Sequence, residues 1–246
     1  MDYGRLADGI VVWMRDRLAA AKATGFVVGL SGGIDSAVTA ALCKRAVGER
    51  HVLAAWMPCH SVPEDERCSR LVAEALGLSL VTVDLSSICD AFLQVLPEGS
   101  KMARANLKPR LRMSTLYYLA QANGYLVAGT GNRPEIMVGF FTKYGDGGVD
   151  LEPLGELYKH EVRELARMLG VPQSIIDRAP SPGLWPGQTD EGEMGITYAE
   201  IDAILAAWQA GQDPDLPAER IAKVEGMVAR SEHKRAMPPA FPVDRS

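Results

Sequence analysis

Several things are scarce in this sequence, and each scarcity excludes a class of protein. Four cysteines in 246 residues, none in a C-x-x-C pair, give neither a disulfide framework nor a paired-thiolate metal spacing. Cys43, Cys59, Cys68 and Cys89 therefore read as reduced thiols, which predicts a cytoplasmic protein. Positive charge is not in excess: 26 Lys and Arg against 31 Asp and Glu leave a formal charge of −5. That balance offers no basic footprint for DNA or RNA, although an anionic nucleotide needs only a local cluster of cations. No apolar run is long enough to span a bilayer, and the amino terminus, with Asp2, Arg5 and Asp8, lacks a basic segment leading into an apolar core. Internal repeats and low-complexity linkers are also missing. What remains is small-molecule chemistry on one large domain, expected to span residues 1–246.

The apolar pattern supplies the architecture. Short β-branched or apolar runs at 26–30, 52–57, 78–83 and 125–128 alternate with stretches that carry apolar residues at spacings of three and four. This alternation predicts an α/β fold, a doubly wound parallel sheet with helices on both faces. Ligands then lie beyond the carboxyl ends of the strands, at Ser31, Pro58, Asp84 and Gly129. Helices are expected from the amino terminus through Ala23 and at 63–76, 103–122, 158–169, 198–210 and 217–230, with Gly77 and Gly170 as C-caps. Residues 142–155 and 179–195 lack periodicity and are rich in Gly, Pro and Asp, as functional lids often are. The tail from Met237, with three prolines, is expected to be extended.

Between the first strand and its helix lies Ser31-Gly32-Gly33-Ile34-Asp35-Ser36. Two glycines allow positive φ and close approach to a ligand, and the free amides of the following helix attract an anion, here most simply a phosphate. No lysine follows the glycines, so the G-x-x-x-x-G-K-[ST] loop is absent. A carboxylate beside phosphates, Asp35, is tolerable mainly with a divalent cation such as Mg²⁺ between them. This loop resembles the SGGxDS loop of the ATP pyrophosphatase (PP-loop) superfamily. After the last strand comes Gly129-Thr130-Gly131-Asn132-Arg133-Pro134-Glu135, in which Pro134 breaks the dinucleotide fingerprint G-x-G-x-x-G. Taken singly, Glu135 reads as a first-turn carboxylate complementing a helix dipole, and Arg110, Arg112, Lys159 and Arg163 as solvated charges. Trp185, Phe140 and Phe141 read as core or lid packing.

Two further segments, residues 141–150 (FTKYGDGGVD) and 180–191 (PSPGLWPGQTDE), complete a set that closely resembles the ammonia-dependent NAD synthetases over nearly the whole chain. The resemblance implies the PP-loop (adenine nucleotide alpha-hydrolase-like) fold and a two-step reaction. ATP adenylates the nicotinate carboxylate of deamido-NAD⁺ with loss of pyrophosphate, and ammonia displaces AMP to give NAD⁺. It also implies roles. Ser31, Gly32, Gly33, Asp35, Ser36, Thr130, Lys159 and Ser181 would bind ATP, with Asp35, Ser31 and Lys159 central to catalysis. Asp35 and Glu135 would hold Mg²⁺, and Arg110, Lys143, Asp150, His233 and Lys234 would bind deamido-NAD⁺. The family's homodimers use residues of both subunits, and the candidate interface is the amino-terminal helix together with 103–122. The loop 59–65 is shorter than the family's usual one, which leaves adenine contacts there open. A glutaminase domain does not fit in this length, so free ammonia is the simplest donor, with a partner glutaminase subunit as the other source. The competing expectations are another PP-loop enzyme, GMP synthetase-like or tRNA-modifying, and a non-catalytic nucleotide-binding module.

Overall fold

A computed structural model describes residues 1–181, 183, 185 and 187–243. Pro182, Leu184 and Pro186 of the 180–191 motif lie outside the described residues, as do the last three residues of the tail. Four parallel strands, β1 (Gly25–Gly29), β2 (Val52–Trp56), β3 (Leu80–Thr82) and β4 (Tyr125–Val127), form one sheet in the order β3-β2-β1-β4. The order reverses at β1. Its neighbour on one side continues the chain, and its neighbour on the other arrives about a hundred residues later. A crevice therefore opens between the carboxyl ends of β1 and β4. Leu151 adds a single parallel bridge to Ala128, so the chain returns to the β4 edge at Asp150 and Leu151.

Among the described residues twelve α-helices surround the sheet: α1 (Tyr3–Ala21), α2 (Ile34–Val47), α3 (Pro63–Leu76), α4 (Ser86–Val95), α5 (Lys101–Ala105), α6 (Leu107–Asn123), α7 (Arg133–Val138), α8 (Lys159–Met168), α9 (Gln173–Ile176), α10 (Asp190–Met194), α11 (Tyr198–Gln209) and α12 (Ala218–Arg235). Side chains of a strand alternate between faces, and β1 is buried on both. Phe26, Val28 and Leu30 pack with Ala7, Met14, Val38, Leu42 and Leu165 of α1, α2 and α8. Val27 points the other way, into a smaller cluster with Ala120 of α6 and Val127. Each fully buried large side chain of this kind is worth about 1.5–3 kcal/mol, so β1 anchors the domain from both sides. A separate cluster, Val138, Met194, Tyr198, Ile201, Leu205 and Val224, joins α7, α10, α11 and α12.

Local signals explain the termini. α3 opens with Pro63 followed by three acids, which suit the positive end of a helix, and stops at Gly77 in the left-handed region. Gly170, with φ 75°, follows α8 as expected. Three expectations need correction. The helix foreseen at 103–122 is two helices, because the backbone turns at Asn106 and only Leu107 starts the long one. The aperiodic stretch 179–195 contains α10, opened by the Thr189 hydroxyl accepting from the Gly192 amide. Of the glycine pair, only Gly32 takes a positive φ, 81°, whereas Gly33 is extended as the N-cap of α2. α1 is amphipathic as expected: Ala7, Val11, Met14 and Leu18 are in the core, and Val12 and Trp13 stay exposed.

Candidate active site

The Ser31–Ser36 loop is shaped by its own hydrogen bonds. The Ser36 hydroxyl donates to the Gly33 carbonyl at 2.9 Å and accepts from the Ser31 amide at 3.2 Å, while the Gly33 amide donates to Ser31 Oγ at 3.2 Å. Gly32 is required twice over: its φ is positive, and a Cβ there would stand 2.7 Å from Cys68 Cβ and 2.9 Å from the Asp65 carbonyl. The loop thus arrives at the crevice with its turn already set. Behind it, Thr39 on α2 donates to the Gly129 carbonyl at 3.2 Å and ties the two strand ends together.

At the crevice floor a lysine joins two acids. Lys159 Nζ lies 2.7 Å from Asp35 Oδ2 and 2.9 Å from Glu135 Oε1, and its side chain is 1% exposed. Burial works against the Lys159 charge, but the two carboxylates outweigh it and hold the ammonium above its ordinary pKa. Lys159 is the first residue of α8, where the helix dipole disfavours a cation. Asp202 of α11 offsets this by accepting from the Lys159 and His160 amides at 3.3 and 3.2 Å. Glu135 is fixed by a capping box: Asn132 Oδ1 accepts from the Glu135 amide at 3.1 Å, and Glu135 Oε2 accepts from the Asn132 amide. The other end of the Asn132 amide donates to Asp35 Oδ1 at 2.8 Å. Tyr198 completes the cluster, within 2.8 Å of Glu135 Oε1 and 2.5 Å of Asp190 Oδ2. Burial, partly countered by Lys159, raises Glu135 to about 7.

A cavity of about 560 Å³ opens above this floor, lined among others by Ser31, Gly33, Asp35, Ser36, Thr130, Glu135, Ser181 and Lys234. Eight of the residues singled out from the sequence therefore share one site. Lys159 lies beneath it and Gly32 behind the loop. Arg110, Lys143, Asp150 and His233 do not line it. The first two and His233 make a chain of their own, in which Arg110 donates to the Lys143 carbonyl and Lys143 Nζ to the His233 carbonyl. Lys234 donates to the Gly139 and Phe141 carbonyls, both at 2.7 Å. Asp150 braces the sheet instead, accepting from the Val127 amide at 2.8 Å and from the Tyr117 hydroxyl at 3.1 Å.

Sequence reasoning missed Asn132, Tyr198, Asp190 and Arg178. Asn132 was within reach, because Asn-x-x-Glu is a capping-box pattern. Tyr198 carried no such signal. A second cavity of about 260 Å³ adjoins the first and is lined by Glu152 and Arg235 among others. Glu152 accepts from the Gly131 amide at 3.0 Å, and burial raises its carboxyl to about 8. A Cβ at Gly129 would fall 2.3 Å from Glu152 Oε2, so a side chain there would displace the Glu152 carboxyl. The cysteines are inert: all four are buried, and desolvation pushes the Cys59 thiol up to about 11.

A parallel sheet with a self-bonded Gly-Gly loop at its switch point, acids in place of the P-loop lysine and a buried lysine beneath defines a nucleotide-binding α/β protein. More narrowly, the chain belongs to the NAD synthase family, whose model matches residues 6–238. It is 50% identical over 241 residues to the NH(3)-dependent NAD(+) synthetase of Archaeoglobus fulgidus, covering 97% of each chain. Among solved structures it is similar to the NMN synthetase of Francisella tularensis, at 38% identity and TM-score 0.88, covering 98% of this chain and 100% of that one. The NH3-dependent NAD synthetase of Campylobacter jejuni is similar at 30% identity and TM-score 0.85, with the same coverage. The family and fold expected from the motifs are thus borne out.

Proposed function

We propose that this chain amidates the nicotinate carboxylate of deamido-NAD⁺ with ammonia at the expense of ATP, giving NAD⁺, AMP and pyrophosphate. The observation that carries this reading is the Asp35–Lys159–Glu135 cluster directly under the phosphate loop, in a chain whose relatives are named for this reaction. A carboxylate resists ammonia because oxide is a poor leaving group. The first step therefore forms a bond between a carboxylate oxygen and the α-phosphorus, and the α–β bridging oxygen departs with pyrophosphate. In the second, ammonia attacks the acyl carbon, AMP leaves with the electron pair, and a proton is lost.

The residues divide this work. Ser31, Gly32, Gly33 and Ser36 cradle the phosphates through amides and hydroxyls, with Thr130 and Ser181 along the nucleotide. Lys159 holds Asp35 and Glu135 in place and supplies fixed positive charge below the reacting phosphate. The donor set suits Mg²⁺: two carboxylates face the cavity, and the buried Asp190 Oδ1 beside them has no hydrogen-bond partner. Asp35 and Glu135 would hold the ion, which when bound neutralises phosphate charge as a Lewis acid. Arg110, Lys143, Asp150, His233 and Lys234 form a rim for the dinucleotide that a second copy of the chain completes. α4 to α6 present the face for that copy, leaving Ile88, Phe92, Val95 and Tyr118 between 47 and 80% exposed. No helix among the described residues is long and apolar enough to cross a membrane, and a cytoplasmic site of action fits the unpaired thiols.

One observation favours a second acceptor. The similar Francisella protein is named an NMN synthetase, and four of the five rim residues lie outside the cavity of the single chain. The deciding experiment supplies ATP, Mg²⁺ and ammonium with either deamido-NAD⁺ or nicotinate mononucleotide, and follows the amide and AMP by chromatography. NAD⁺ formed at the higher kcat/KM supports the main reading, and preference for the mononucleotide replaces it. Glutamine in place of ammonium should give no product, because ammonia is the donor. Sedimentation should show a dimer, and Phe92→Glu should dissociate it.

A further inference from the structure

The cations near the phosphate loop are unevenly committed. Lys159 serves two carboxylates, Lys234 two carbonyls, and Arg112 donates to the Met57 carbonyl at 2.9 Å. Arg178, at the entrance to the 179–195 segment, differs. One arm of its guanidinium donates to the Gly32 carbonyl at 3.2 Å, so it lies alongside the phosphate loop itself, and the other is paired with Asp65 of α3. Arg178, Asp65 and Ser181 all line the main cavity, and the pair is only partly exposed, 26% for the arginine and 15% for the acid.

We propose that Arg178 is the residue that binds the departing pyrophosphate, and that Asp65 is the positioning residue that holds it beside the loop between turnovers. The inference rests on the reaction assigned above. In the first step negative charge accumulates on the β-phosphate as the α–β bridging P–O bond breaks, and the leaving group carries the electron pair away. A guanidinium stays protonated throughout, so it accepts this charge through two N–H donors with no proton transfer. The exchange of partner is inexpensive because Arg178 is already largely desolvated. It leaves a monoanionic carboxylate for a more highly charged anion rather than stripping water from a free cation. Location in the chain ties the exchange to the rest of the site: Ala179, Pro180 and Ser181 follow directly and line the same cavity.

The test titrates inorganic pyrophosphate with Mg²⁺ into the protein by calorimetry, without nucleotide, beside steady-state kinetics. Arg178→Gln should weaken pyrophosphate binding by at least about tenfold. It should lower kcat by about a hundredfold, as loss of one transition-state donor does, with KM for the dinucleotide unchanged. Arg178→Lys should restore part of both, and Asp65→Asn should tighten pyrophosphate binding by freeing the arginine. Thermal melts separate this from a strut between α3 and the loop. If Arg178→Gln and Asp65→Asn lower Tm equally while pyrophosphate binding stays at the wild-type value, the proposal is overturned. Because calorimetry needs no acceptor, a protein that binds pyrophosphate through Arg178 yet amidates nothing would retain this inference and refute the reaction.

Discussion

The floor of the crevice and its rim are built from the same residue types yet differ in how finished they are. On the floor, Lys159, Asp35, Glu135, Asn132 and Tyr198 satisfy one another within a single chain, with Lys159 1% exposed. On the rim, Arg110, Lys143 and Lys234 donate to backbone carbonyls of their own chain, and His233 is exposed. Buried charges must be paired to exist at all, so the floor is arranged before any ligand arrives. Cations that keep contact with water bear less of this demand and take whatever acceptor is near. The proposed ATP end is therefore preorganised, and the proposed dinucleotide end is not.

The sharpest way to break this contrast is to unpair the floor. Asp35→Asn should reduce pyrophosphate release by at least about 10²–10³-fold, the loss seen when one preorganised electrostatic group is removed, with the fold retained in circular dichroism. Lys159→Met should cost about 3–5 kcal/mol in urea melts, because two acids lose a shared buried partner. Adding Glu135→Gln and Asp35→Asn to it should return most of that stability; a triple variant no better than the single would show that packing, not charge, holds the floor. Glu152 provides a partly buried acid with no ion pair among the described residues. Its folded-state pKa, about 8, lies above the unfolded value, so the protonated form stabilises the fold at low pH and this contribution is lost as pH rises. The slope is at most about 1.4 kcal/mol per pH unit, in a window from about 4.3 upward. Glu152→Gln should flatten stability across that window, and melts at pH 5 and 9 would reveal it. The rim should respond least in stability. Arg110→Ala should change it by no more than about 0.5 kcal/mol while raising KM for the dinucleotide and leaving KM for ATP alone. A change confined to ATP would move Arg110 to the other ligand.

How much was legible in the sequence follows the same division. β1, its loop and α2 were visible because a doubly buried strand must be apolar and a tight anion loop must carry glycine, constraints written at single positions. Asp35 and Glu135 could be paired only through the motif resemblance, since nothing local shows that residues 124 apart share one lysine with an acid 24 residues from it. α4 escaped notice because it is short and most of its apolar residues face outward, blurring the helical period. Tyr198 was invisible: a tyrosine that starts an amphipathic helix looks like any core residue until its hydroxyl is seen between two acids. Arg178 was hidden similarly, its partners Gly32 and Asp65 lying more than a hundred residues away.

The long separation between Asp35 and Lys159 sets a timetable for synthesis. All four strands lie within the first 127 residues, so the sheet can pair while the ribosome is still working. The lysine, 124 residues behind its acid, emerges roughly 6–25 s later at ordinary elongation speeds. Until then Asp35 and Glu135 lack the lysine that pairs them in the folded chain. Completion of the crevice floor is a late event, and the half-made chain is a sheet waiting for its lysine.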